Sequence, residues 1–456
     1  MRGALKPPPG HETTMRSRPD PILRSAGGTP ALLMAVACWA AAMAPAADDY
    51  ERPPISYSES QPDNPVERLQ CRLDAGQARL PFDDRCGYLP GVLDALGVPR
   101  SSQALVFSKT SLQQQKIGPR NPRALYFNDD VYVGYVRSGD VVELSVADPR
   151  LGTVFYTLDQ QAVERPRFVR RTEQCLGCHG GAQTRGVPGH VMRSVYPDWR
   201  GQPIFSAGAH MVDHATPLAR RWGGWYVTGS HGAATHLGNV TYEKRPAGDA
   251  PDDTGGLNQT DLDGRFTAAG YLSRHSDLVA LMVLAHQVNA HNELARASFS
   301  VRVALHREAA LNRELGEPAG HRWPSTDTVL DAAATALVEC FLFCDEPRLE
   351  APIAGTSGFA AEFAAAGPRD PGGRSLRDLD LERRLFRHPC SFLIYSASFD
   401  ALPEELRERF WSRMDTALAA TNPIGRFKHI GPEEGSAIRE ILAATKPGVP
   451  AAWRTR

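Results

Sequence analysis

Two thiols and an imidazole stand close together at one place in this 456-residue chain. Cys175, Cys178 and His179 form a C-x-x-C-H pattern within the stretch "RTEQCLGCHGG". Cysteines at this spacing can bind zinc, form a redox disulfide or react with the vinyl groups of a porphyrin. A zinc site needs two further ligands nearby, yet the next cysteine is Cys340. A thioredoxin-like pair does not require the histidine, so the pattern favours the porphyrin.

The segment resembles the haem-attachment motif of c-type cytochromes. The resemblance rests on "CLGCHGG" at 175–181 and on "GVPG" at 186–189, which is similar to the glycine/proline loop beneath the haem in many of them. It implies that Cys175 and Cys178 carry the thioether bonds to one haem c and that His179 is the axial ligand of its iron. The rest of the chain departs from small soluble cytochromes, which are all-helical and carry the motif near the mature N-terminus.

The N-terminus predicts export, and in bacteria this type of haem attachment takes place outside the cytoplasm. Arg16, Arg18 and Arg24 precede an apolar run at 31–44, and "APA" follows at 44–46. A basic lead, a short apolar core and a small-x-small site are typical of a secretory signal peptide, here residues 1–46. Met15 is an alternative start, and a lipoprotein signal ending at Cys38 fits the residues around it poorly. We therefore expect a periplasmic or otherwise exported protein, soluble after removal of the signal peptide.

The elements that must position the motif follow from the pattern of the mature chain. Residues 47–122 are loop-rich, and residues 123–245 alternate apolar and polar side chains as antiparallel strands do. The haem motif lies within this second, β-rich region. Residues 265–456 show helical periodicity. The predicted fold class is α+β, with a β-rich haem domain followed by a mostly helical C-terminal domain.

Several local signals place individual helices and loops. A helix-like piece runs from Leu89 to Val98, and Ser276 is a plausible N-cap for a long apolar helix. Pro403 stands at the first position of a later helix. The stretch 347–374 is rich in alanine, glycine and proline, which predicts a loop insertion.

Charge and hydropathy exclude some partners. The formal net charge is -1 with both signs mixed along the chain, which gives no reason to expect nucleic acid. No segment after the signal peptide is apolar over the roughly 20 residues that a membrane span requires.

Seven of the eight cysteines remain after cleavage of the signal peptide, and two are assigned to haem. Cys71 and Cys86 lie in a loop-rich stretch of an exported chain and are expected to pair. Cys340, Cys344 and Cys390 leave an odd number, so at least one buried free thiol is expected.

The ligand opposite His179 stays open at this stage. The candidates are the methionines and histidines that follow the motif: Met192, Met211, His190, His210, His214, His231 and His236. His286 is expected to be a core residue, because it lies on the apolar face of a predicted helix. Candidate partners for the haem propionates are Arg167, Arg170, Arg171, Arg185 and Arg193. Trp222, Trp225 and Tyr226 fit a haem-pocket wall and a sheet core equally well.

These features predict an exported electron-transfer protein with one covalent haem and an unidentified redox partner protein. A haem enzyme of the peroxidase or small-oxyanion reductase type is one alternative, and a haem-based gas or redox sensor is another. A single C-x-x-C-H counts against an enzyme that must store several electrons. The lack of a span leading to an output domain counts against a sensor.

Overall fold

The computed structural model describes residues 49–244, 254–419 and 425–454, and these fall within one compact unit, Ala44–Arg456. The predicted signal peptide and its cleavage site lie outside the described residues. The architecture is α+β, as the sequence predicts: an antiparallel sheet region is followed by a helical region.

Two short helices precede the sheet. Helix α1 (Pro65–Asp74) begins at Asn64, whose side-chain oxygen accepts hydrogen bonds from the backbone N–H groups of Val66 and Glu67. Helix α2 (Leu89–Leu96) coincides with the predicted helical piece and ends at Gly97, which has a φ of +64°.

A seven-stranded antiparallel sheet forms the centre of the first half, and short pairs of strands flank it. The strands are β1 (Ala104–Val106), β2 (Arg123–Phe127), β3 (Val131–Val136), β4 (Val141–Asp148), β5 (Gly152–Asp159), β6 (Phe168–Arg170), β7 (Arg193–Val195), β8 (Ala209–Met211), β9 (Trp225–Tyr226) and β10 (Gly229–Ser230). The sheet order is β6-β5-β4-β3-β2-β1-β9, while β7 pairs with β8. Helix α3 (Glu173–His179), which carries the C-x-x-C-H residues, lies between β6 and β7.

The two faces of the sheet differ because side chains alternate along each strand. Tyr126, Val133, Leu144 and Tyr156 are directly opposite one another on successive strands and pack in one core with α1 and α2. We call this side the apolar face. The other side, the polar face, carries Arg123, Gly134, Glu143, Ser145 and Phe155.

The second half is helical, as predicted. Its elements are α4 (Leu278–Leu315), α5 (Pro324–Phe341), β11 (Ala354–Gly355), α6 (Phe359–Ala365), α7 (Ala397–Asp400), α8 (Glu404–Ala419) and α9 (Pro432–Thr445). Most residues of the first half of α4 are buried on every side, because the helix runs through the main core between the sheet and the other helices. None of the helices in the described ranges combines the length and apolar character needed to cross a membrane.

Helix α4 begins at Asp277 rather than at the predicted Ser276. The Asp277 carboxylate is fully buried and accepts hydrogen bonds from the backbone N–H groups of Val279 and Ala280 at 2.8 and 3.1 Å. Its second oxygen accepts the backbone N–H groups of Thr356 and Ser357, both at 2.8 Å, and the Ser357 hydroxyl at 2.9 Å. The Ser276 hydroxyl instead forms hydrogen bonds with the backbone of two strands of the sheet, β9 and β1. The cap is therefore shared with a distant loop, which sequence spacing does not reveal.

Two further expectations are corrected. The stretch 347–374 contains β11 and α6, because β11 pairs with β10 and the phenylalanines of α6 pack into the main core. Cys71 and Cys86 do not pair: Cys71 is exposed on α1, while Cys86 is buried with its Sγ 3.8 Å from the Gly270 carbonyl oxygen. Cys340, Cys344 and Cys390 are free and buried, which agrees with the expected buried thiol.

Candidate functional site

The C-x-x-C-H residues occupy the last two turns of α3. Cys175 and Cys178 are three residues apart on the helix, so their side chains are neighbours on one face. Both thiols are free; Cys175 is half-buried and Cys178 is exposed. His179 is the last residue of the helix. The structure thus places all three predicted site residues together.

A hydrogen bond fixes the orientation of the His179 ring. Its Nδ1 lies 2.9 Å from the Gly189 carbonyl oxygen, and the Gly189 N–H donates to the His179 carbonyl oxygen at 2.8 Å. Because a carbonyl can only accept, Nδ1 must carry the proton, and the lone pair is then on Nε2. Gly189 belongs to the "GVPG" segment noted in the sequence. The loop after the helix therefore selects the tautomer that a metal ligand at Nε2 needs.

Glycine is required at this loop position. A Cβ on Gly189 would lie 2.5 Å from the Asn292 amide oxygen, which accepts a hydrogen bond from the His190 N–H. Asn292 also donates to the His190 carbonyl oxygen at 2.8 Å. Helix α4 thereby holds the loop that orients His179.

The environment of His179 keeps its imidazole neutral. Burial lowers the pKa of His179, its hydrogen bond to Gly189 raises it, and the charges of Arg123 and Arg193 lower it again. The Phe155 ring of the polar face packs against the imidazole, with 4.9 Å between ring centroids. A neutral, sterically fixed imidazole is the form that binds iron.

An ion pair on the polar face lies beside the first thiol. Arg123 and Glu143 approach to 2.5 Å, and both side chains are mostly buried. A Cβ on Gly134 would lie 2.3 Å from the Arg123 guanidinium, so the glycine makes room for this pair. Burial raises the pKa of Cys175 to about 11, and the negative charge of Glu143 acts in the same direction.

This pKa shift separates the candidate chemistries. A thioredoxin-like cysteine is activated by a lowered pKa, whereas the pKa of Cys175 is raised. A zinc site also finds no support, because the described ranges contain no group of three or more histidine, cysteine or acidic side chains arranged to hold a metal ion.

Four of the five candidate propionate arginines have protein partners. Arg167 pairs with Asp74, Arg170 donates to the carbonyls of Ser60 and Tyr57, Arg171 donates to Thr157, and Arg185 pairs with Glu293. The guanidinium of Arg193 has no hydrogen bond or ion pair to the residues that the structure describes. It is also the one whose charge acts on His179.

The hairpin that carries Arg193 also carries one of the sixth-ligand candidates. Arg193 of β7 is directly opposite Met211 of β8, so both side chains lie on the same face of the hairpin. Met211 is 41% exposed, and the connection between the strands exposes Trp199 and Phe205 as well. Trp225 supports the hairpin through a 2.7 Å hydrogen bond from its indole N–H to the Arg193 carbonyl.

Three of the other candidates are held by the protein. The His214 ring contacts the His286 ring at 3.3 Å between Nδ1 atoms. Both ring nitrogens of His231 have backbone partners, at Ala234 and Asn258. The His236 Nδ1 accepts the Gly238 N–H at 3.0 Å.

The remaining candidates are enclosed to different degrees. Met192 is buried in the main core, and His210 is half-buried with its Nε2 enclosed and unpartnered. His190 is buried, with its Nδ1 3.3 Å from the Ser145 hydroxyl and an enclosed, unpartnered Nε2. Trp222, Trp225 and Tyr226 are all buried in the cores.

A chain of buried polar rings extends from the site and was not anticipated from the sequence. The Tyr132 ring lies 4.1 Å from His190, and its hydroxyl lies 2.9 Å from both the His291 Nδ1 and the Gln287 amide nitrogen. His286, five residues before His291 on α4, is buried, and its Nε2 lies 2.7 Å from the Ser391 hydroxyl, as expected of a core histidine. The only sequence signal was the spacing of histidines along one apolar helix.

Comparisons with family models, with curated proteins and with solved structures find no match to this chain.

Proposed function

We propose that this chain is an exported c-type haem protein that transfers electrons. Cys175 and Cys178 would hold one haem through thioether bonds, and His179 would bind its iron through Nε2. Haem bound in this way supplies reversible one-electron chemistry. An unidentified redox partner protein would exchange electrons with it outside the cytoplasm.

The observation that carries this proposal is the hydrogen bond between His179 Nδ1 and the Gly189 carbonyl. It orients the ring and leaves Nε2 as the free ligand atom, directly after two cysteines on one helix face. A histidine that merely filled space would not need this arrangement. The raised pKa of Cys175 supports the same proposal, since it disfavours a redox-active thiolate pair.

The surrounding residues each have a defined role in this proposal. Arg193, whose guanidinium has no partner among the described residues, would pair with a propionate, and Phe155 would limit rotation of the imidazole. The glycine at position 189 allows Asn292 to brace the loop. Hydrogen bonds and ring packing of this kind would hold the His179 imidazole in one orientation when it binds iron.

Met211 is the candidate that we favour as the second protein ligand of the iron. It shares a hairpin face with Arg193, whose charge acts on His179, and it is exposed although it is apolar. A thioether ligand would raise the reduction potential, which suits an electron carrier.

The proposal is tested first by covalent attachment. Protein made with a haem-attachment system should keep its pigment through acid-acetone extraction, and its intact mass should exceed that of the mature chain by one haem. The double variant C175A/C178A should lose the pigment, while C71A, which removes an exposed cysteine on α1, should retain it. A wild-type mass equal to that of the bare mature chain would refute covalent haem.

A second experiment addresses the sixth position and the electron-transfer role. The ferrous protein should be low-spin and should not bind carbon monoxide at neutral pH. M211L removes the thioether at nearly constant volume and should open the site to carbon monoxide, whereas M192L, at the buried candidate, should not. Rapid carbon monoxide binding by the wild type would instead favour the enzyme or the sensor. If neither M211L nor M192L binds carbon monoxide, both methionines are excluded as ligands of the iron.

A further inference from the structure

A cleft at one end of α6 is not used by the proposed haem site. It has a volume of about 420 Å³, within the range of small-molecule pockets. Its walls come from the turn between β2 and β3, from α6, from α4 and from the segment after α2. Its lining includes three phenylalanines, three carboxylates, one glutamine and one arginine.

Aromatic rings form the inner wall of the cleft. Phe127 and Phe359 lie 5.5 Å apart between ring centroids, and Phe359 and Phe363 lie 5.6 Å apart. All three are buried. An apolar group entering the cleft would contact this wall, and a cation would be attracted to the ring faces.

The charges that line the cleft are mainly negative. Asp129, Asp130 and Glu362 face a single guanidinium among the described lining residues, that of Arg377. Arg377 is already committed, because it pairs with Asp129 and its guanidinium lies 4.6 Å from the ring centroids of both Phe363 and Phe392. An anionic ligand therefore finds no free cation here.

Asp130 is the carboxylate that lacks a partner. Within the described parts of the chain its side chain has no hydrogen bond or ion pair, whereas Glu362 accepts the Ser101 hydroxyl at 2.6 Å. Burial raises the pKa of Asp130 to about 6, and the neighbouring charge of Asp129 adds to this. Arg68 and Arg377 act in the opposite direction, but each is paired with another aspartate. A carboxylate that is partly removed from water and lacks a counter-charge is stabilised by a bound cation.

The cleft also offers a neutral acceptor. The Gln287 amide nitrogen donates to the Asn128 carbonyl at 2.7 Å and to the Tyr132 hydroxyl. This leaves the Gln287 amide oxygen without a hydrogen bond to the described residues.

We infer that this cleft binds a small organic cation, a primary amine attached to an aromatic or other apolar group. The ammonium group is held by Asp130 and by the Gln287 amide oxygen, and the apolar group packs against Phe127 and Phe359. A bare metal ion does not suit the cleft, since three phenylalanine rings line it. The inference does not depend on the haem proposal.

Titration calorimetry on the full exported chain tests this inference, with phenethylamine as the probe and 3-phenylpropionate as its matched anion. Phenethylamine should bind at neutral pH and phenylpropionate should not. D130N should weaken phenethylamine binding at least tenfold, while D84N, at an exposed carboxylate elsewhere, should leave it unchanged. The absorption spectrum recorded alongside separates binding in the cleft from ligation of a haem iron.

The pH dependence provides a second readout. The amine stays protonated while Asp130 loses its charge as the pH falls, so affinity should drop about tenfold for each pH unit below about 6. D130N should lose this dependence. A366F, at the exposed rim of the cleft, should block binding without altering Asp130 and serves if D130N is poorly folded. Undetectable phenethylamine binding, a preference for phenylpropionate or unchanged affinity in both D130N and A366F would overturn the inference.

Discussion

The apolar and polar faces of the central sheet are built from the same strands but have different roles. On the apolar face, Val133, Leu144 and Tyr156 are buried against α1 and α2 in a continuous core. On the polar face, Glu143 and Ser145 are only partly buried, and they lie near Cys175 and His190. Because successive side chains point to opposite faces, neighbouring residues of one strand lie in these two different environments.

The difference shows how the molecule combines stability with a site. Burial of apolar side chains on one face stabilises the strands, so the other face can carry an ion pair, a glycine and a hydroxyl. These groups should contribute less to stability than the apolar core does, but they determine what surrounds the C-x-x-C-H residues. Substitutions on the two faces should therefore have separable effects.

The largest effect is expected on the apolar face. L144A removes a buried side chain from a packed core and should lower the free energy of unfolding by about 3 kcal/mol. L125A, at a partly buried position on the polar face, should lower it by about 1 kcal/mol. Urea unfolding measures both. Equal losses would show that the faces are not energetically distinct.

A smaller effect, counted for each histidine and each pH unit, is expected from the buried histidines beside the polar face. Burial lowers the pKa of His190 well below its usual value and that of His291 to about 3. The unfolded chain takes up these protons first, so stability should fall as the pH drops below about 6.5, by about 1.4 kcal/mol per unit for each histidine.

His291 provides the matched variant for this dependence. The Gln287 amide donates to the Tyr132 hydroxyl, so Tyr132 donates to the His291 Nδ1, and glutamine can replace that acceptor. H291Q should reduce the slope of unfolding free energy against pH by about 1.4 kcal/mol per unit between pH 6 and 4. Above pH 7 the slopes of variant and wild type should coincide. An unchanged slope below pH 6 would show that His291 is not buried in its neutral form.

A still smaller effect is expected from the ion pair. E143Q leaves Arg123 without its carboxylate and should cost about 1 to 2 kcal/mol in urea unfolding. In protein prepared without haem, E143Q should also lower the pKa of Cys175, because one of the charges that raise it is removed. The pH profile of thiol alkylation measures this. E173Q, at an exposed position on α3, is the control. If the pH profile of alkylation for E143Q is identical to that of the wild type, Glu143 does not affect the pKa of Cys175.

The smallest effect is expected at Ser145. Its hydroxyl lies 3.3 Å from the His190 Nδ1, a long hydrogen bond, so S145A should change the free energy of unfolding by less than about 1 kcal/mol. A loss as large as that of L144A would contradict the division between the two faces.

Much of the fold follows from local pattern, and the reason is visible in particular strands. The alternation of Val142, Leu144 and Val146 with Glu143 and Ser145 predicts both the strand and its two faces, because side-chain direction depends only on the backbone period. The turn between β4 and β5 likewise follows from Asp148, Pro149 and Gly152, because these residue types favour turns. The C-x-x-C-H spacing was sufficient to place the three motif residues together.

The remaining features depend on contacts between distant parts of the chain. The pairing of β11 with β10 and the packing of α6 exist only in the folded molecule, so the composition of 347–374 could not predict them. The Arg123–Glu143 pair joins two strands whose register is set by the sheet. The sequence also could not show that Met211 lies beside Arg193, because only the pairing of β7 with β8 brings these two residues together.

The shared cap at Asp277 has a consequence for how the native protein opens. One carboxylate accepts the backbone amides of Val279 and Ala280 on α4 and those of Thr356 and Ser357 in the loop before α6. When this acceptor is displaced, all four amides lose their partner at the same moment. Their hydrogen-exchange rates are therefore tied together, and two segments nearly 80 residues apart form a single cooperative opening unit.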